Sequence, residues 1–328
     1  MNDRAVSLLD QYELEIIRTR KGRGSIICES TQGLFLLKEY SGSLEKAAVL
    51  DRLLTRMQES CKVSVECILK NKEGALITQD TDGSRYLVKS WFEGRECNIR
   101  DPEECIQAVR TLAELHKSMV CDEEESACLP VQNLKTEYER HNKELRRVRR
   151  FLKAKSQKTD FEIFLNRQFD PYLEQAEQVL AEWETYAYLE QETELQKKRT
   201  LCHGDYQYHN LIMVKNDLCV VNFEHLALDC QIRDLYLFLR KLLEKNNWSC
   251  HTGEKLLQAY DRVRPLSAAD RIGLLYRFAY PEKFWKIVNF YYNSTKSWIP
   301  GKNMEKLQKV LNQEKEKQRF LNEVLRTL

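Results

Sequence analysis

The residues best suited to chemistry lie in Leu201–Phe223, which reads LCHGDYQYHNLIMVKNDLCVVNF. The pattern H-G-D-x-x-x-x-N sets Asp205 and Asn210 five residues apart, and Asn222–Phe223 follows a short apolar run. A carboxylate and a carboxamide at this spacing suit phosphoryl transfer, in which a loop holds one group over the attacking hydroxyl and the other on Mg²⁺. Asp205 is then expected to orient the acceptor hydroxyl and take its proton. Asn210 would give its side-chain oxygen to the metal. A second metal carboxylate is expected where the next strand returns, but position 222 is Asn. An Asn oxygen can coordinate Mg²⁺, yet it neutralises nothing. Loss of one such electrostatic group typically costs about 10²–10³ in rate. Glu224 could face the site but reads more readily as a solvated side chain. His203 reads as a brace of the loop, and so does Asp234 in QIRDLYLFLRK.

Such a loop needs an element that grips phosphates. Lys38, in the apolar strand LFLLKEY, would reach the α/β-phosphates, and Glu45, early in the following helix, is its expected ion-pair partner. The turn Arg20-Lys21-Gly22-Arg23-Gly24 lacks G-x-G-x-x-G, so it is either a phosphate cover or an ordinary hairpin turn.

The surrounding segments give an α+β fold. Strands are predicted at YELEII, SIICES and GLFLLKEY, then a helix over Leu44–Gln58, then strands at VECILKN and RYLVKSWF. A five-stranded antiparallel sheet with that helix packed on it is therefore expected over 1–92. A hinge at 93–97 and a mostly helical lobe over 98–328, carrying the loop 202–223, complete the expected division. Asp101-Pro102-Glu103-Glu104 has the cap and first-turn residues of a helix start. The stretch 134–155 predicts a basic helix, which either faces solvent or docks an acidic partner. The aromatic residues of Tyr276–Tyr292 read as core.

Composition narrows the function classes. The 328 residues are 42% hydrophobic and 31% charged, enough to build a sizeable core. A net charge of +2 gives no global case for nucleic acid or an anionic membrane. No apolar run approaches the roughly 18 residues that span a bilayer, and the N-terminus lacks the pattern of a signal peptide. Synthesis in the cytoplasm is expected. Eleven cysteines without a C-x-x-C pair favour buried free thiols over a zinc site, with cross-linking in an oxidising assembly as the alternative.

The H-G-D-x-x-x-x-N…NFE segment resembles the aminoglycoside/choline phosphotransferase branch of the kinase-like fold. More closely, the chain is similar to CotS-type spore coat proteins of endospore-forming bacteria. The resemblance is carried by LLDQYELEIIRTRKGRGSIICES, NKEGALITQDTDGSRYLVKSWFEGRECNIR, LCHGDYQYHN, VNFEHLALDCQIRDLYLFLRKLLEKNNW and FWKIVNFYYNS. It implies a bilobal kinase-like fold, with a small antiparallel sheet in the N-lobe and a mostly helical C-lobe. It also implies deposition in the spore coat among other coat proteins. Asp205 matches the catalytic Asp and Asn210 the metal Asn, while Asn222 takes the metal-Asp place. A structural or assembly role with reduced or regulatory binding of ATP and Mg²⁺ is expected. The alternatives are an active ATP-dependent phosphotransferase acting on a small hydroxylated molecule or sugar during sporulation, and a cytosolic small-molecule kinase unrelated to spores.

Overall fold

The computed structural model describes residues 3–22, 24–60, 63–186, 195, 197–293 and 300–327. Arg23 of the glycine-containing turn, Cys61 and part of the stretch 187–198 lie outside the described residues. The chain forms two compact units. The first comprises Met1–Val131, Arg199–Phe238 and Ala259–Arg264, and the second Gln132–Lys198, Leu239–Gln258 and Pro265–Leu328.

In the first unit, β1 (Ile16–Gly22), β2 (Ser25–Ser30) and β3 (Gly33–Glu39) run antiparallel. Helix α1 (Leu44–Ser60) follows, then β4 (Ser64–Val65), β5 (Ile68–Leu69), β6 (Thr78–Gln79) and β7 (Arg85–Trp91). The sheet order is β1-β2-β3-β7-β5, with β6 also paired to β7. It therefore has six strands rather than five. The Asp80–Ser84 turn, closed by Asp80 N–H on Ser84 O at 2.8 Å, folds Thr78–Gln79 back onto β7. One face packs Leu37, Tyr86 and Val88 against Ala5, Leu8, Leu9 and Tyr12 of the N-terminal turn-rich segment. Strand alternation sends Leu36, Lys38, Leu87 and Lys89 to the other face, because Leu36 opposes Lys89 and Lys38 opposes Leu87. Two lysines thus share one face of adjacent strands. Helix α1 buries Ala47, Val49, Leu50, Leu53, Leu54 and Met57. Leu44 is 61% exposed because it starts the helix ahead of that stripe.

A second, four-stranded sheet carries the motif. β8 (Arg95–Glu96) precedes α2 (Pro102–Ser118) and α3 (Glu123–Ala127). Helix α2 begins as the sequence predicts, with the Asp101 side chain accepting from Glu103 N–H and Glu104 N–H and with Pro102 in the first turn. Further along come β9 (Leu201–Cys202), β10 (Leu211–Val214), β11 (Asp217–Val220) and β12 (Ala227–Leu228). The order is β4-β11-β10-β8, and β9 pairs with β12. Gly94 lets the chain enter β8, since a Cβ there would lie 2.2 Å from Met213 O.

The second unit is helical. Helices α4 (Leu134–Ala154) and α5 (Asp160–Tyr186) pack with the later helices α8 (Ala268–Ala279), α9 (Glu282–Asn293) and α10 (Pro300–Phe320). Between these in sequence lie α6 (Ile232–Lys245) and α7 (Cys250–Asp261). Tyr276, Tyr280, Phe284 and Trp285 join the core of this unit, whereas Phe290 is 44% exposed. Two basic residues of α4 are met by acids of α5, in Arg146–Glu177 at 2.6 Å and the Arg149–Asp170 pair. The ten described cysteines are free, and burial pushes the Cys97 and Cys105 thiols up to about 12.

Candidate functional site

The loop between β9 and β10 is fixed from below by one buried carboxylate. Asp234, in the first turn of α6, is fully buried and accepts His203 N–H at 2.6 Å and Gly204 N–H at 2.9 Å. His116 Nε2 approaches the same carboxylate at 3.3 Å, and its Nδ1 meets Tyr260 Oη at 2.6 Å. Burial alone would raise this carboxyl. The hydrogen bond and charge of His116, with His203 and the Gly204 N–H, outweigh it and hold Asp234 below the ordinary carboxylate range. Gly204 is required twice over: its φ is +80°, and a Cβ would lie 2.3 Å from His225 O.

His203 spans the loop. Its Nε2–H donates to Val221 O at 3.0 Å, and its Nδ1 accepts from Asp205 N–H at 3.2 Å. Asp205 Oδ2 accepts from Asn210 Nδ2 at 2.9 Å, and Gln207 Nε2 donates to Oδ1. The same Asn210 Nδ2 also bonds Asp205 O at 2.8 Å, which closes the five-residue turn. Tyr206 anchors the loop to α2 through Oη on Ala108 O at 2.8 Å.

Asn222 stands in the left-handed region, at φ 68° and ψ 56°, a conformation that Asn tolerates better than most residues. Its Nδ2 donates to Asn210 Oδ1 at 2.9 Å, and its Oδ1 accepts from Lys38 Nζ at 3.3 Å and Lys89 Nζ at 3.4 Å. Asp205, Asn210, Asn222 and Lys38 are therefore joined in one hydrogen-bonded chain. His203 and Asp234 support its base.

Glu45 falls outside this chain. Its side chain is exposed and turns to its own backbone N–H and to Ser43, which lowers its pKa. A first-turn Glu gains more from the free N–H groups of its helix end than from reaching across to the sheet. The expected Lys38–Glu45 pair is corrected accordingly: Lys38 Nζ lies 3.2 Å from Glu224 Oε1. The next residue of α1, Lys46, donates instead to Glu224 O at 2.9 Å.

Two functional candidates went unread in the sequence. Lys89 and Glu66 are both 0% exposed and form an ion pair at 3.0 Å. Glu66 also accepts Asn222 N–H at 2.8 Å and Phe223 N–H at 3.1 Å, so it fixes the backbone of the left-handed corner. Lys89 bonds Glu224 as well. Burial pulls the Lys89 ammonium down, but Glu66 and Glu224 carry it above its ordinary value. Burial pushes Glu224 up, and Lys89 and Lys38 more than reverse that, to about 2. A charged residue inside each of the apolar runs VECIL and RYLVKSW was the available signal.

The donor set fits a hard cation. Asn210 Oδ1, Asn222 Oδ1 and the Glu224 carboxylate would supply oxygen donors to it, with one carboxylate among them. Lys38, which is 30% exposed, is the lysine that would meet the phosphates of a nucleotide. A resident Mg²⁺ would neutralise developing phosphate charge there.

A sheet-borne lysine beside an H-G-D loop on this topology defines a phosphotransferase-type fold. An aminoglycoside phosphotransferase from Alicyclobacillus acidocaldarius has the same fold, at a TM-score of 0.86 and 20% identity, covering 98% of this chain and 95% of its own. A spectinomycin phosphotransferase in complex with ADP and spectinomycin matches at a TM-score of 0.66 and 12% identity, covering 98% and 97%. The chain thus has the bilobal kinase-like fold, with a small antiparallel sheet and a mostly helical C-terminal region.

Within that class, the family described as "Spore coat putative kinase YutH" matches residues 5–324, and the chain belongs to it. Spore coat protein S of Bacillus subtilis (strain 168) is 24% identical over 315 residues, covering 93% of this chain and 88% of that protein. No described helix is long and apolar enough to cross a membrane.

Proposed function

We propose that this protein is a spore coat component that uses a kinase-like scaffold for structure or assembly, with reduced, regulatory binding of ATP. The observation that carries this reading is the state of the phosphate-binding lysine. Lys38 is neutralised by Glu224, and the neighbouring metal position holds the uncharged Asn222. A nucleotide must therefore compete with an internal carboxylate and meets one fewer metal charge. Other coat proteins are the partners expected from its relatives, and the coat is its place of deposition. Asp205 acts as the hydroxyl-orienting carboxylate, with Asn210 and Asn222 toward Mg²⁺ and Lys38 toward the phosphates. His203, Asp234 and Glu66 act through the loop as positioning residues.

One observation favours the second reading, an active phosphotransferase on a small hydroxylated acceptor. Asp205 is held by Asn210 and Gln207 with its backbone braced by His203, an arrangement more ordered than a vestigial loop requires. Calorimetry with ATP, with and without Mg²⁺, tests both readings. Weak binding that Lys38→Ala abolishes, together with ATP turnover near background, supports the scaffold. Fast turnover that Asp205→Ala removes supports the enzyme. Equal affinity in wild type and Lys38→Ala rejects the phosphate assignment.

A further inference from the structure

Asn222 and Glu224 share two ammonium groups. Asn222 Oδ1 accepts from Lys38 and Lys89 at 3.3 and 3.4 Å, and Glu224 Oε1 lies 3.2 Å from Lys38 Nζ while also bonding Lys89. The two lysines are placed differently. Lys89 is fully buried and keeps Glu66 at 3.0 Å whatever Glu224 does. Lys38 is 30% exposed and Glu224 18%, so an incoming ligand can reach both. The Lys38–Glu224 pair is thus the replaceable bond of the cluster, and Lys89–Glu66 is its fixed part.

We propose that Glu224 is an exchangeable counter-ion that sets which ligand this site accepts: it neutralises Lys38 in the free protein and turns toward the divalent cation of a metal–nucleotide, supplying the charge that Asn222 lacks. This rests on the nucleotide reading above. The electrostatic argument is a balance of pairs. Metal-free ATP must evict Glu224 from Lys38 and leave that carboxylate beside a polyanion, a like-charge contact in a site largely screened from water. Metal-bound ATP offers both partners at once, phosphate for Lys38 and a cation for Glu224. Nucleotide and metal should therefore each strengthen the binding of the other, as linkage requires. The selected class is a divalent-metal nucleoside polyphosphate rather than a free one.

The test is calorimetry of ATP in excess Mg²⁺ and ATP in chelator, on wild type and Glu224→Gln, with a thermal midpoint to establish that the variant is folded. Wild type should bind the magnesium form at least about tenfold tighter. In Glu224→Gln, metal-free ATP should bind several-fold tighter than in wild type, and the advantage of Mg²⁺ should shrink below about threefold. An undiminished advantage in the variant, or weaker metal-free binding, overturns the proposal. Should the variant not fold, equal affinity of wild type for the two forms overturns it unaided, and a tenfold difference supports it. Lys38-dependent binding without the Glu224 effect sinks this inference alone. Binding indifferent to Lys38→Ala sinks the nucleotide reading with it.

Discussion

Two buried titratable positions, one in each unit, are handled by different means. In the first, Lys89 is paired with both Glu66 and Glu224. In the second, His141 is 1% exposed and stacks on Trp285 with centroids 3.4 Å apart. Arg140 Nη2 lies 3.1 Å from its Nε2, Glu137 lies 4.0 Å away, and Glu282 and Lys286 are near. Burial lowers this imidazole to about 4, the acid Glu282 opposes the shift, and the cations Arg140 and Lys286 add to it, so it is neutral near pH 7. At that position the helical unit keeps the ring neutral among charged neighbours. The sheet unit has collected charge at the place where a ligand would need it. Buried ion pairs are seldom the cheapest way to fill a core, and a well-packed apolar substitute is often as stable. Their presence beside Asp205 fits a site kept for binding.

The largest effect that would break this contrast is at Lys89. Lys89→Met leaves Glu66 and Glu224 without their shared counter-ion and should cost about 3–5 kcal/mol in chemical denaturation. A loss under about 1 kcal/mol would mean that the cluster is not held by paired charge. Gly204→Ala comes next. The positive φ and the His225 carbonyl at 2.3 Å should cost about 2–3 kcal/mol and disturb ATP binding through Asp205.

The acid limbs of the two regions should separate. A neutral buried His binds its proton more weakly when folded, so its contribution is full above its ordinary value of 6.5 and is lost as pH falls toward about 4. Glu224 is depressed, so its contribution is full above 4.5 and is lost toward about 2. His141→Phe should therefore remove about 2 kcal/mol of stability loss between pH 6.5 and 4.5, seen in denaturation curves across pH. Glu224→Gln should alter only the more acidic limb. The smallest effect belongs to Glu45→Ala, which should leave both stability and ATP affinity nearly unchanged. A large drop in affinity there would restore the Lys38–Glu45 pair.

The sequence disclosed the site in proportion to how local it is. Asp205, Asn210, His203 and Gly204 sit in one loop, and their spacing encodes the turn. Asp234 was legible as a buried acid at a helix start. Long-range partners were not. Lys38 meets Asn222 across 184 positions, and either Glu45 or Glu224 could satisfy it on charge alone. Helix-end chemistry decided against Glu45. Lys89 and Glu66 were masked for a different reason, since lysines and glutamates in short strands usually point to water. Only the β3–β7 register shows that Lys89 points the same way as Lys38. The sixth strand was hidden because a two-residue strand has no periodicity of its own.

The parallel pairing of β4 with β11 joins Ser64–Val65 to Cys219–Val220. A ribosome adding about 5–20 residues per second needs roughly 8–30 s to cover that interval. Throughout it the nascent chain carries Glu66 and Lys89 without the strand that will enclose them, and an unpaired β4 edge. The sheet face that carries Lys38 and Lys89 is thus finished late in synthesis.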